Sequence, residues 1–203
     1  MNDMLAIEND LRQCGYCSIA GVDEAGRGPL AGRVYAAAVI LPSGVIFETE
    51  INDSKKLTEK KREAAFDEII QKSLAYSIAF ADETLIDEIN ILNATHRAMC
   101  EAVEKLPVHP DYVLIDGNSI KGLSLPHQTV IGGDAKSLSI AAASILAKVS
   151  RDHYIIEQAK LYPQYGFEKH KGYGTREHLE MIRTYGPCPI HRKTFKGVRE
   201  YVR

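Results

Sequence analysis

The chain has 203 residues, 45% of them hydrophobic and 26% charged, with a formal net charge of −2. That length suits one good-sized core with room for a small appendage, and the composition is ordinary for a soluble globular protein. No apolar run reaches the length of a membrane span, and the acidic opening MNDMLAIEND lacks the basic-then-apolar layout of a signal peptide, so a cytoplasmic protein with no membrane partner is expected.

SIAGVDEAG (18–26) and RVYAAAVIL (33–41) read as an antiparallel strand pair joined by the glycine-rich turn at 26–32. PSG at 42–44 is a turn, and VIFE at 45–48 is expected as a third strand. Thr58 is placed to cap a helix over 59–72, with Ala64, Ala65, Phe66, Ile69 and Ile70 as its apolar stripe. LAYSIAFA at 74–81 reads as another strand, and 84–106 as a helix broken around Asn90 to Asn93. YVLID at 112–116 is a continuous apolar run ending in an acid, the pattern of a strand buried on both faces. The alanine-rich stretch 137–162 predicts the longest helix, stopped by Pro163. A basic, aromatic loop, QYGFEKHKGYGT, follows, then a short helix capped by Thr175 and ended by Gly186. Antiparallel strands first, then strand–helix alternation, predict an α/β fold with a mixed sheet flanked by helices.

Buried strands avoid unpaired carboxylates, because desolvating one is costly. Asp23 and Glu24, ending the first strand, therefore need a salt bridge to Arg27 or Arg33, or a metal ion. Asp116 ends a central strand, at the edge where α/β sheets bind ligands. Asp134 stands before the long helix, whose positive end favours a carboxylate. Singly, each acid has an ordinary reading as a turn or cap residue. At neighbouring strand ends they would repel unless cations bind, and oxygen ligands of this kind favour magnesium or manganese. Successive strand residues point to opposite faces, so uniting Asp23 and Glu24 requires a strand end or a bulge near Gly26.

Ser144, Lys148 and Arg151 share one face of the long helix. Ser54, Lys55 and Lys56 offer phosphate contacts, and Lys148, Lys171, Arg192 and Lys193 are expected to add more. Tyr173, between glycines and near His170 and Lys171, can stack on a base or sugar, or fill a tight turn. Charge is uneven. Residues 136–203 hold 13 Lys and Arg against 6 Asp and Glu, whereas residues 1–135 hold 12 against 21. A basic final third suits a polyanion, or is a solvated excess of lysine. Cys14, Cys17, Cys188 and His191 could in principle ligate zinc, but they lie at opposite ends of the chain, and reduced thiols without zinc are expected.

Taken together and in order, GVDEAGRGPLAG, NDSKKLT, LIDGN, GGD, SIAAASILAKVSRD and HKGYGT closely resemble bacterial ribonuclease HII, from about residue 17 to about residue 195. The resemblance implies a ribonuclease H-like catalytic domain over 1–163 and a small helical C-terminal extension over 164–203 that contributes to substrate binding. It implies a monomeric endonuclease that hydrolyses the RNA strand of RNA–DNA hybrids. It also implies cutting at single ribonucleotides embedded in duplex DNA, leaving 5′-phosphate and 3′-hydroxyl ends. Matched motif to motif, Asp23, Glu24, Asp116 and Asp134 are the catalytic and metal-binding acids, holding Mg2+ or Mn2+, as two ions when substrate is bound. Gly26, Arg27 and Gly28 fall on the family's Gly-Arg-Gly stretch, and Tyr173 on the tyrosine that reads the RNA–DNA junction with it. The related ribonuclease HIII carries an extra N-terminal domain, for which about 17 residues before the first strand leave no room. Two rival readings are a phosphohydrolase of small phosphate esters, which the basic and aromatic final third does not suit, and a non-catalytic nucleic-acid-binding module, whose acids would repel phosphate without metal.

Overall fold

Two runs rich in alanine and valine, β1 (Ile19–Ala25) and β2 (Val34–Ile40), pair antiparallel from Ala20 opposite Ile40 to Ala25 opposite Tyr35. β3 (Ala75–Ala81) joins the free edge of β2 antiparallel, and β4 (Tyr112–Asp116) and β5 (His127–Val130) extend the other side in parallel. The result is a mixed five-stranded sheet in the order β3-β2-β1-β4-β5. The computed structural model describes residues 4–52, 54 and 57–202.

Helices cover both faces. On one, α3 (Glu83–Glu104) packs Ile86, Ala94, Ala98 and Met99 against Ala20, Val22, Ala36 and Val113. On the other, α4 (Leu138–Leu161) and α2 (Glu59–Lys72) cover Ala37 and Val39. Small residues let α4 lie close to the sheet: a Cβ at Gly21 would stand only 2.1 Å from the Ser139 carbonyl carbon. Two-sided burial is why β2, and β1 and β4 up to the acids near their ends, read as apolar runs.

The start of α4 is tied to the N-terminal segment. Ser137 caps it, its Oγ accepting from the Ile140 N–H, and the buried Glu8 of α1 (Ala6–Gln13) accepts from Ser137 Oγ, Ser139 Oγ and the Ser139 N–H at 2.7–3.1 Å. The carboxylate facing the positive end of this helix through these bonds is thus Glu8. At the other end, α5 (Phe167–His170) and α6 (Arg176–Tyr185) pack Phe167 and Ile182 with Leu30, Ala31 and Ile155. The C-terminal segment therefore grips both the end of α4 and the loop after β1.

Four sequence expectations change. VIFE is not a strand: Glu48 and Thr49 donate their N–H groups to the Glu68 carboxylate, while Val45 and Phe47 pack on the core. α1 and β5 were not expected, and the loop before Thr175 contains α5. The break expected around Asn90 to Asn93 is present as a kink at Asn90, held at φ 67° with its Oδ1 accepting from the Leu92 and Asn93 N–H groups. Among the described residues no helix is long and apolar enough to cross a membrane.

Candidate active site

The parallel register sets Val22 beside Ile115, so one step further Asp23 and Asp116 stand at adjacent strand ends. Side-chain oxygens of Asp23, Glu24 and Asp116 all lie within 4.8 Å of one another. No bulge achieves this, because β1 keeps its regular pairing with β2 through Ala25. Instead β4 ends at Asp116, which leaves the flank of Glu24 open for its longer side chain to reach the same point. The Asp116 carboxylate is itself oriented, its Oδ1 accepting from the Gly133 N–H at 2.7 Å. That bond also fastens the turn at Gly133–Ala135 that carries Asp134.

Burial pushes the Asp23 carboxyl well above its ordinary range, and the charges of Glu24, Asp116 and Asp134 push the same way. The Glu24 N–H, 2.6 Å from Asp23 Oδ1, only partly opposes them. Glu24 is also raised, by burial first and by Asp116, against the pull of Arg27. Arg27 pairs with Glu24 at 3.5 Å from an exposed position. Arg33 lies elsewhere, its guanidinium 4.0 Å from the Phe80 ring centroid and 4.6 Å from that of Tyr154. One exposed arginine does not balance this acidic cluster. Hard carboxylate oxygens this close span little more than the about 4 Å between opposite ligands of one Mg2+-sized ion. The donor set fits a divalent cation.

Beside the acids opens a cleft of about 750 Å³ lined by Glu24, Gly26, Arg27, Gly28, Ser54, Arg62, Ser144, Lys148, Arg151 and Tyr173. The structure thus gathers most of the sequence-predicted contact residues at one place. Ser144 Oγ donates to Ser54 Oγ at 2.8 Å, so α4 and the segment before α2 meet in its wall. Lys148 and Arg62 share Asp152, at 2.6 and 3.5 Å. Tyr173 is 46% exposed and its ring edge stands 3.5 Å from where a Gly28 Cβ would be. Gly26 has φ +101°, and a Cβ there would lie 2.2 Å from Arg151 Nε. Only glycine lets the loop pass over that guanidinium.

Some expectations are corrected. Arg192 is not a solvated phosphate contact: it is 0% exposed, and its guanidinium donates to the carbonyls of Gly26, Arg27, Pro29 and Gly32. Burial, with Arg151 nearby, lowers its pKa to about 9. Lys171 is not among the cleft-lining residues, its Nζ donating to the Glu168 carbonyl. Lys55 and Lys56 lie outside the described residues. Asp134 acts on Asp23 through its charge but is not in the tight trio. Cys14 and Cys17 are exposed free thiols, whereas Cys188 is buried beside His191.

That His191 belongs to a hydrogen-bonded chain which fixes its own protons. The Cys188 N–H donates to His191 Nδ1 (2.9 Å), so His191 carries its proton on Nε2 and donates to His178 Nε2 (3.0 Å). His178 is left with a proton on Nδ1, which it gives to the Tyr173 carbonyl at 2.9 Å. Both rings are neutral, and burial holds both pKa values down at about 4. The sequence does not announce this support, or the roles of Arg62 and Arg192, because the links that join the pieces, His178 to His191, Arg62 to Asp152 and Arg192 to the carbonyls of 26–32, run between separate segments. Arg151 was visible on the Ser144–Lys148 face.

The family model for ribonuclease HII matches residues 20–198. The chain is 59% identical over 189 residues to the ribonuclease HII of Caldicellulosiruptor saccharolyticus, covering 93% of this chain and 92% of that one. It is 54% identical over 200 residues to the ribonuclease HII of Geotalea daltonii, covering 98% and 92%. The crystal structure of the ribonuclease H2 from Pyrococcus horikoshii OT3 matches with a TM-score of 0.76 at 27% identity, over 91% of this chain and 96% of that one. Fold and comparisons together define an endoribonuclease of the ribonuclease H class, a metal-dependent enzyme that acts on RNA–DNA hybrids. Within that class, the chain belongs to the ribonuclease HII family.

Proposed function

We propose that this enzyme, besides cutting the RNA strand of hybrids, cuts duplex DNA at single embedded ribonucleotides and leaves 5′-phosphate and 3′-hydroxyl ends. The observation that carries this reading is one shared location: the acidic trio borders a cleft whose wall holds Gly26–Gly28 and Tyr173. Asp23, Glu24 and Asp116 hold Mg2+ or Mn2+, with Asp134 completing the site for two ions when substrate is bound. When bound, the cation lowers the pKa of a water and neutralises charge on the phosphate. Gly26 and Gly28 allow the backbone to approach the ribose, whose 2′-hydroxyl distinguishes RNA from DNA. Tyr173 stacks on the following sugar, where a second 2′-hydroxyl would crowd it. Ser54, Ser144 and Lys148 line the path of a substrate strand.

The extension at 164–203 supplies Tyr173 to a catalytic domain at 1–163, and the protein works as a cytoplasmic monomer. The test is incubation with a DNA duplex carrying one ribonucleotide, with and without magnesium. A single magnesium-dependent cut with a 3′-hydroxyl end is expected. Cleavage of an all-RNA hybrid alone would restrict the enzyme to continuous RNA.

A further inference from the structure

The loop Gly26–Gly32 is built inside out. Arg192, wholly buried, donates from Nε to the Gly32 carbonyl (2.9 Å), from Nη1 to Arg27 (2.9 Å) and Pro29 (2.7 Å), and from Nη2 to Gly26 (2.5 Å). Its own N–H takes the Leu30 carbonyl at 2.9 Å, and Arg151 Nη2 takes that of Ala31 at 3.3 Å. The interior thus claims six of the seven carbonyls in 26–32. A peptide unit is planar and trans, so a carbonyl turned inward turns the next residue's N–H outward. With the Gly26 and Arg27 carbonyls on Arg192, the N–H groups that turn away are those of Arg27 and Gly28. Neither has an acceptor among the described residues, and both residues line the cleft beside Glu24 and Tyr173.

We propose that Arg192 is the positioning residue that aims the Arg27 and Gly28 amides at the ribose 2′-hydroxyl oxygen, and thereby sets the preference for ribose over deoxyribose. This rests on the ribose-reading role given above to Gly26–Gly28. A 2′-hydroxyl accepts from the two donors, whereas deoxyribose leaves them without a partner, and a site built to bond a hydroxyl rejects the analogue lacking it. The geometry requires arginine. Its planar fork can hold several carbonyls at fixed angles, whereas a lysine ammonium is a point charge on a flexible stem.

The experiment compares wild type with Arg192→Lys, Arg192→Gln and Gly28→Ala. Gly28 has room for a methyl group, the nearest atom being Tyr173 Cε1 at 3.5 Å, so Gly28→Ala perturbs the reading face without disturbing Arg192. For each protein, kcat and KM are measured on a duplex with one ribonucleotide, and Ki for the matching all-DNA duplex as competitor. Both Arg192 variants are expected to lower Ki/KM by about tenfold while Ki stays within about twofold, with Gly28→Ala falling in the same direction. A preserved ratio in the Arg192 variants alongside a collapsed one in Gly28→Ala would overturn this inference and leave the ribose-reading role standing. A wild-type ratio in Gly28→Ala would overturn the role itself, and the inference with it. A proportional rise of Ki and KM that reverses on cooling, or failure of both Arg192 variants to fold, would make Arg192 a fold residue and overturn the positioning role.

Discussion

At Asp23, burial and three neighbouring acids all favour the protonated form, and one backbone N–H opposes them. A cluster so charged fits a cation, and the gathering of acids at the strand ends was legible from the residue types there. The reach of Glu24 to the same point was not, since alternation along β1 argued for divergence and the outcome depended on where β4 stops. Arg192 was misread for a related reason: a basic run at a chain end looks solvated until its carbonyl partners, about 160 residues earlier, are known. Tyr173 gives the sharpest single-residue expectation. Its exposed ring stands beside Gly28 while its own carbonyl is held from below by His178. Tyr173→Ala should lose at least about tenfold in rate on a one-ribonucleotide duplex, consistent with a lost stacking contact of 1–3 kcal/mol. Tyr173→Phe, which keeps the ring, should lose much less, with melting temperatures of both variants near wild type. Equal losses on one-ribonucleotide and all-RNA substrates would place junction reading elsewhere.

Among elements, the contact of α4 with β1 does most to place the acids, and Gly21 is where they touch. A methyl group there would meet the Ser139 and Ile140 backbone at 2.1–2.5 Å, which no side-chain rotation relieves. Gly21→Ala is expected to destabilise by about 3 kcal/mol or more, lowering the melting temperature by about 10 °C; an unchanged melt would mean that α4 can shift without cost. The Cys188–His191–His178–Tyr173 chain sets a second expectation. Both histidines titrate in the unfolded chain near 6.5 but in the fold only at about 4. Below pH 6.5 the unfolded chain therefore takes up protons that the fold refuses. Stability present at pH 7 is lost as the pH falls toward 4, by about 2 kcal/mol per histidine at pH 5. The raised carboxyls of Asp23 and Glu24 pull the other way, so the check is thermal melts at pH 7 and pH 5 on wild type and on His178→Gln, and an equal pH dependence in the two would contradict it. Long buried strands and the alanine-rich α4 could be read directly from the chain. α1 and β5 could not: α1 buries only Glu8, β5 is a four-residue edge strand, and contacts from elsewhere order both.

Over the whole molecule, the acid-rich first two thirds supply the carboxylates and the basic final third supplies Lys148, Arg151 and the Tyr173 segment facing them. The cleft lies where the two compositions meet, which suits a polyanion drawn toward a negatively charged centre that needs cations to accept it. Lys148→Gln should weaken hybrid binding uniformly across sequences and reduce the salt slope by about one, measured by titration at several salt concentrations. An unchanged slope would mean that Asp152 already neutralises this lysine. Everything in the account depends on the acidic trio being the metal-holding centre of cleavage. The most direct test is the magnesium-dependent cleavage rate of Asp23→Asn on an RNA–DNA hybrid, with hybrid binding and the folded spectrum measured on the same preparation. The predicted result is a loss of at least about a hundredfold in rate, with the fold intact and binding equal or tighter, because one charge repelling the phosphates is gone. A rate near wild type in magnesium would contradict it.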